Sequence, residues 1–469
     1  MRLIGLSILL LLSSIPLISQ VDAHYWTHQY GSQGLLLNGA VIAGTQGETA
    51  LFYNPGAVGM SSTQGLELSF VTPTYFQLRT SNLLGDDNVI NDRSIDLGPG
   101  FAGATFKPWE NKKITMGVTT FQRFKTDISF QDRVVEPIND GTTLIFRGDL
   151  DFDRQISEQW VGINFAYNPS PNLGIGLTQF STFHRQSTSF DLKREITSTN
   201  DPEDLLQSFR SEFSYGINVN SAFVSKLGLT YRSDLLRLGL TYTSPSYGAI
   251  IKRGDYSIED QRINILTNTN QSVSNRNTSI TSQRRTPSSF GFGLDLLLDD
   301  TSYSFSAEYF TAISSYLTLV DEDDPFDSNS NVDLPTSIEI SESTSSVLNF
   351  AIGCQRKFSE TLTCIVGFRT DFDQSNIVLI NEFPEYIGAV GNVYHLSGGG
   401  LFNKKKNNFS IGMDLGFGRR TGGNQLANFN NVDQSSLFDQ TGEPVVNSTF
   451  VSLMLFCTYD FIFSSFSEK

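Results

Sequence analysis

VSLMLFCTYDFIF, residues 451–463, alternates along its whole length. Val451, Leu453, Leu455, Cys457, Tyr459, Phe461 and Phe463 share one parity, and Ser452, Thr458 and Asp460 fall on the other. A strand sends successive side chains to opposite faces, so this segment predicts one face suited to lipid and one mixed face. The pattern recurs from about Gly65 onward. In 409–419, Phe409, Ile411, Met413, Leu415 and Phe417 oppose Ser410, Gly412, Asp414, Gly416 and Gly418. In 236–243, Leu238, Leu240 and Tyr242 oppose Arg237, Gly239 and Thr241. Many such segments in one chain predict an all-β fold, a transmembrane antiparallel β-barrel.

The N-terminus supports export. Arg2 gives a positive start, Leu3 to Ile18 is almost wholly apolar, and Val21-Asp22-Ala23 offers a cleavage site before His24. Residues 1–23 therefore read as a signal peptide, too short in their apolar core for a spanning helix. No later run reaches the roughly 18 apolar residues of a membrane helix. The formal charge of −16 disfavours nucleic acid as a partner. The three cysteines, Cys354, Cys364 and Cys457, sit at lipid-facing parity, where they act as small apolar residues rather than as a disulfide framework. The four histidines, His24, His28, His184 and His395, match no metal or triad spacing, so no metal and no cofactor is expected.

Short turn-rich clusters near 108–113, 169–173, 233–236, 299–302, 359–361 and 404–408 alternate with longer polar stretches near 80–97, 131–142, 196–207, 256–284, 321–336, 383–391 and 420–446. Short turns at one end and long loops at the other are the barrel arrangement. They delimit about fourteen strands within 65–463, with sixteen as the alternative if 256–284 hides another hairpin. Both termini then face the periplasm of a Gram-negative cell, with the barrel in the outer membrane against its lipid. Aromatics at strand ends, such as Tyr242, Tyr303, Tyr309 and Tyr459, suit interfacial girdles. Phe463 suits the signal read by barrel-assembly machinery, although residues 464–469 follow it as a tail.

Residues 24–64 do not alternate. They are rich in Gly and Ala and predict a compact N-terminal plug in the barrel mouth. Gly39-Ala40, Gly44, Glu48, Ala50, Asn54 and Pro55 here resemble the FadL/TodX family of outer-membrane transporters for long-chain fatty acids and other hydrophobic compounds. The chain departs from the family at Gly56, where alanine is usual. The resemblance implies a fourteen-stranded monomeric barrel with a hatch. It also implies passive, ligand-gated uptake of a hydrophobic small molecule, without catalysis. A fatty acid or hydrocarbon gains about 0.8 kcal/mol per buried CH2, so a water-filled pore suits it poorly.

Several residues carry specific expectations. Asn54, Pro55 and Gly56 would fix the plug to the wall, or form a simple turn. His24, Tyr25 and Trp26 would be the plug tip after cleavage. Pro245 cannot donate to a ladder, so it marks a bulge or opening; the triplet Gly398, Gly399 and Gly400 is a second place for a wall opening. The family's kink lies on an early strand, yet 113–130 here contains only Gly117. Arg237 and Arg369, inward by parity, would pair a ligand head group or contact the plug. Asp321 to Asp324 and Asp327 lack calcium-loop spacing and read as a solvated loop. Two rival functions remain: a surface structural or adhesin barrel, and a lipid-modifying enzyme using His184 or His395.

Overall fold

The computed structural model describes residues 24–44, 47–60, 64–69, 73–85, 89–97, 100–108, 113–138, 143–198, 205–320, 340–374, 379–380, 391–404, 407–423, 425, 428–429 and 445–463. The expected signal peptide, the tail 464–469, the acidic stretch 321–336 and most of 420–446 lie outside them.

Fourteen staves close an antiparallel barrel. The first stave is β1 (Gln64–Ser69) with β2 (Pro73–Ser81), and the second is β3 (Val89–Leu97) with β4 (Phe101–Phe106). Four long strands follow: β5 (Ile114–Pro137), β6 (Leu144–Ser170), β7 (Leu173–Ser198) and β8 (Leu205–Arg232). The seventh stave is β9 (Leu236–Thr243) with β10 (Tyr247–Asn264), and the eighth is β11 (Thr269–Ser282) with β12 (Ser289–Leu298). Next come β13 (Thr301–Phe310), the short β14 (Ile313–Leu317), β15 (Leu319–Val320) and β16 (Ile340–Thr344), then β17 (Val347–Lys357) and β18 (Leu362–Asp371). The chain ends with β19 (Leu379–Ile380), β20 (Asn392–Lys404), β21 (Asn407–Gly423) and β22 (Val446–Phe463). Strands β14, β16 and β19 form a separate three-stranded sheet. Closure joins β22 to the first stave, from Gln64↔Phe463 to Ser69↔Thr458 and on through Thr74↔Met454.

The strands are longer than the sequence reading allowed. The stretch 256–284 is a hairpin, turned at 265–268, that prolongs the seventh and eighth staves; it adds no crossing, and the count stays at fourteen. Much of 80–97, 131–142 and 196–207 is also strand rather than loop. Strand β6 shows why. Its 27 residues run roughly 90 Å at about 3.3 Å each, whereas a crossing needs about 9–11 residues. At its turn end the outward side chains are Val161, Ile163, Phe165 and Tyr167, all exposed. Beyond them the outward face becomes Arg147, Asp149, Asp151, Asp153 and Gln155, while Leu144, Phe146, Leu150, Phe152 and Ile156 are buried inside. Lipid demands apolar residues outside; water demands them inside. The chain keeps one parity and exchanges the chemistry of its two faces at about Gln159.

The plug carries three helical turns, α1 (Gly31–Leu36), α2 (Ala50–Tyr53) and α3 (Pro55–Val58). It lies against the inner wall, with Tyr30, Leu36, Leu51 and Asn54 fully buried. Inward glycines let it approach backbone to backbone. A Cβ on Gly174 or Gly176 would strike the carbonyl oxygens of Gly56 and Pro55 at 2.1 Å, and one on Gly56 would meet those of Gly174 and Gly228 at 2.8 Å. The inward-glycine pattern therefore records plug contact, not curvature alone. The apolar interior forms two large bodies and a small third, Leu51, Ala57 and Val58 of the plug against Ala166. One large body surrounds Tyr25, Trp26, Tyr30, Phe121 and Trp160 at the plug. The other, with Phe146, Phe152, Phe213 and Ile258, fills the sleeve beyond the lipid-facing belt.

Candidate functional site: an aromatic recess between plug and wall

Asn54 opens α3, with Pro55 at its first position. Its Oδ1 accepts from Gly56 N at 3.0 Å, the usual service of an N-cap. Its Nδ2 donates to Ile42 O at 2.8 Å within the plug and to Leu229 O at 3.2 Å on β8. One amide thus joins the cap, the preceding loop and the wall.

The plug tip is ordered by carboxylates of the wall. Asp371 Oδ1 accepts from Trp26 N at 3.1 Å and Oδ2 from Thr27 Oγ1 at 3.0 Å, and His24 Nδ1 lies 3.1 Å from the Asp371 carbonyl oxygen. Burial opposes a charged His24, but the Asp371 carboxylate outweighs it and holds the imidazole above its ordinary value. Trp26 Nε1 donates to Glu308 at 2.8 Å, and Tyr25 stacks on Phe310 at 4.7 Å.

Tyr25, Trp26, Phe52, Phe124, Trp160 and Phe310 wall a narrow recess of about 50 Å³ between tip and barrel. Phe52 packs on Phe121 at 4.8 Å, and Phe121 on Trp160 at 5.8 Å. Two cations stand among these rings. Arg123 lies 5.0 Å from Phe124 and donates to the Tyr25 carbonyl; Lys226 lies 4.9 Å from Phe52 and 3.9 Å from Glu308. Rings and aliphatic stems bind apolar matter, and the cations sit over ring faces where their charge is partly matched.

Arg123 also marks a defect in the wall. In β5 the register against β6 shifts between Gln122 and Phe124, so Arg123 is the extra residue of a bulge. Arg123 and Phe124 both point inward. The ladder of β4 on β5 stops just before, at Phe101↔Phe121. Beyond it, among the described residues, β3 pairs with β2 and β5 with β6, and no ladder joins β3 to β5. The early strand is therefore kinked without a glycine. Its sequence signal is Phe121 and Phe124, three apart, a spacing that a regular strand sends to opposite faces.

The other expected positions have definite places. Pro245 lies in the interruption between β9 and β10, where the register against β8 shifts between Tyr247 and Ile251; Ser246 Oγ accepts there from Thr286 N at 3.0 Å. Thr243, Thr286 and Pro287 at this interruption also line the recess. By contrast, Gly398, Gly399 and Gly400 run through continuous ladders with both β18 and β21, so the wall is intact at the triplet. Gly399 instead makes room for Leu36 of the plug. Arg237 donates to Gly44 O at 2.8 Å and pairs with Asp295 at 3.2 Å. Arg369 donates to Thr27 O at 2.8 Å and to Asn38 Oδ1. Both guanidiniums contact the plug. Among barrel cations, Lys226 and Arg123 are the ones at the recess, and parity alone did not separate them from other inward residues. His184 and His395 lie beside Glu158 at 3.0 Å and Asp414 at 2.9 Å.

No protein-family model and no curated protein matches the sequence. Solved structures do match in shape. The Pseudomonas putida toluene transporter TodX superposes with a TM-score of 0.58 at 12% identity, over 93% of this chain and 99% of that one. A Pseudomonas aeruginosa FadL homologue gives 0.59 at 12% identity, over 94% and 100%. The chain has the fold of the FadL/TodX plugged barrels.

Proposed function

We propose that this protein is an outer-membrane channel for passive uptake of small hydrophobic molecules, with its turn end and both termini in the periplasm. The observation that carries the reading is the aromatic recess, built jointly by the plug tip and the wall and set beside the bulge at Arg123. A hydrophobic molecule entering from the sleeve meets apolar interior first and then the recess. Seating it there competes with the contacts of Tyr25 and Trp26, so the ligand itself shifts the tip. The unpaired edge between β3 and β5 offers a sideways exit into the bilayer, where an apolar solute is more stable than in water. The shape shared with a toluene transporter and a FadL homologue supports this reading; monoaromatic hydrocarbons and fatty acids are its two candidate ligand classes.

The test is uptake into cells that express the protein, using labelled toluene, labelled oleate and a polar sugar. Faster entry of a hydrophobic probe, lost in Trp160→Arg while the barrel still assembles, is the expected result. A steady ion conductance with no gain in hydrophobic uptake would assign the protein as a general porin instead.

A further inference from the structure

Three carboxylates meet where the barrel closes. Glu67 on β1 and Asp460 on β22 are direct cross-strand partners, and Glu48 of the plug lies against them. Glu67 and Glu48 are buried, at 2% and 7% exposure. Their contacts run to the plug. Ser32 N and Thr49 N donate to Glu67 at 3.3 and 3.1 Å, Ser32 Oγ donates to Asp460 at 2.9 Å, and Thr105 Oγ1 of β4 donates to Glu48 at 3.1 Å. Asp460 Oδ1 is buried without a hydrogen-bond partner.

No cation offsets this charge among the described residues. Helices α1 and α2 and strand β4 carry no ionisable charge, Glu67 is the only charged residue of β1, and Asp460 is the only one of β22. On β21 the residue opposite Asp460 is Asn408; its charged residues, Asp414, Arg419 and Arg420, stand further towards the loop end. Three like charges gathered at one seam, two of them buried, are not all ionised together without a cation, so protons are shared among them.

We propose that Glu48, Glu67 and Asp460 form a proton-held latch that docks the plug on the closing seam and releases it as the protons leave to solvent at raised pH. The latch rests on reading residues 24–64 as the channel's plug. Burial pushes Glu48 from an ordinary 4.5 up to about 7. The docked state then binds more protons than the undocked one, so docking weakens as pH climbs between those values. The opposite side of the plug behaves otherwise. There Arg369 donates to Thr27 O and Asn38 Oδ1, and Asp371 accepts from Trp26 N, bonds that hold no shared proton and survive the rise; of the tip's contacts to Asp371, the one from His24 loses its charge. The plug therefore loosens at the seam and stays tethered at the far wall.

Hydrogen exchange of the purified full-length protein between pH 5.5 and 8.5 tests this, with rates corrected for intrinsic base catalysis. The amides of Ser32 and Thr49 are expected to speed up by as much as tenfold per pH unit for each proton released, while Trp26 N stays constant once His24→Asn has removed the tip's own titrating group. Glu67→Gln with Asp460→Asn is expected to flatten the step, and Glu48→Gln to shrink it. A flat wild-type profile, or a full-size step in the double variant, overturns the latch. Should the double variant fail to assemble, the wild-type profile and Glu48→Gln decide. Exchange needs no transported ligand, so failure of the latch and failure of the uptake reading are separately visible.

Discussion

Asn54 shows how much one small amide settles. Its three hydrogen bonds serve a cap, the loop at Ile42 and the wall at Leu229, and no other side chain of that size offers both an acceptor and two donors. Asn54→Ala removes the cap, strands the buried Ile42 carbonyl and drops the tie to Leu229, so plug docking should weaken by about 2–4 kcal/mol. Limited proteolysis within 24–60 should accelerate while the barrel stays resistant. Asn54→Asp, which keeps the cap acceptor but not the donors, should recover part of the loss. A second residue-scale expectation concerns acid. His28 is partly buried at the recess, and its desolvation, with Arg123 and Arg369 nearby, lowers it from 6.5 to about 3. Through this residue the undocked plug binds more protons than the docked one between those values, so the His28 share of docking should strengthen as pH rises from about 3 to 6.5, against the seam carboxylates where the two ranges overlap. His28→Asn should remove that slope in an exchange or proteolysis profile, and a slope that persists would place the acid sensitivity elsewhere.

At the scale of the strand, β6 predicts its own membrane border. Ile163 is 62% exposed on the lipid face, whereas Asp151 has the same parity in water. Ile163→Lys should destabilise the barrel by about 2–4 kcal/mol in lipid vesicles, and Asp151→Lys by no more than about 0.5 kcal/mol, both read by urea titration. Equal costs would move the border. The same exchange of faces explains which strand ends were legible. At the turn end lipid enforces an apolar outward set such as Phe409, Ile411 and Met413, and the boundaries there follow the turn residues closely. At the loop end the outward set is Asp, Arg, Gln and Ser, which resembles loop chemistry, so 131–142 and 256–284 read as loops although strands run far into both. The inward apolar residues Leu144, Phe146, Leu150, Phe152 and Ile156, all of one parity, were the signal that strand persisted. The plug was legible because it broke the alternation. The recess was not, because its rings come from the plug, β5, β6 and β13, and only closure brings them together.

The whole molecule couples a packed plug to a wall that is imperfect beside it. A closed barrel removes sheet edges, and this one restores an edge where β3 and β5 part after Phe121. The bulge at Arg123 is the local cause: one extra residue bends β5 inward and ends its pairing with the second stave. Deleting Arg123 should bring Gln122 and Phe124 into continuous register against Glu158 and Gln159. It should let β5 pair further along the second stave. The exit would then close without disturbing the other staves. Arg123→Ala keeps the bulge and removes the guanidinium, including its bond to the Tyr25 carbonyl. The deletion should therefore abolish hydrophobic uptake while the recess still binds its ligand, and the alanine variant should retain uptake with weaker retention of the plug tip. Probe binding to purified protein and probe entry into cells separate the two effects. If the deletion variant assembles, binds and still transports at the original rate, the solute leaves by another path, and the interruption at Pro245, which also borders the recess, becomes the exit to examine.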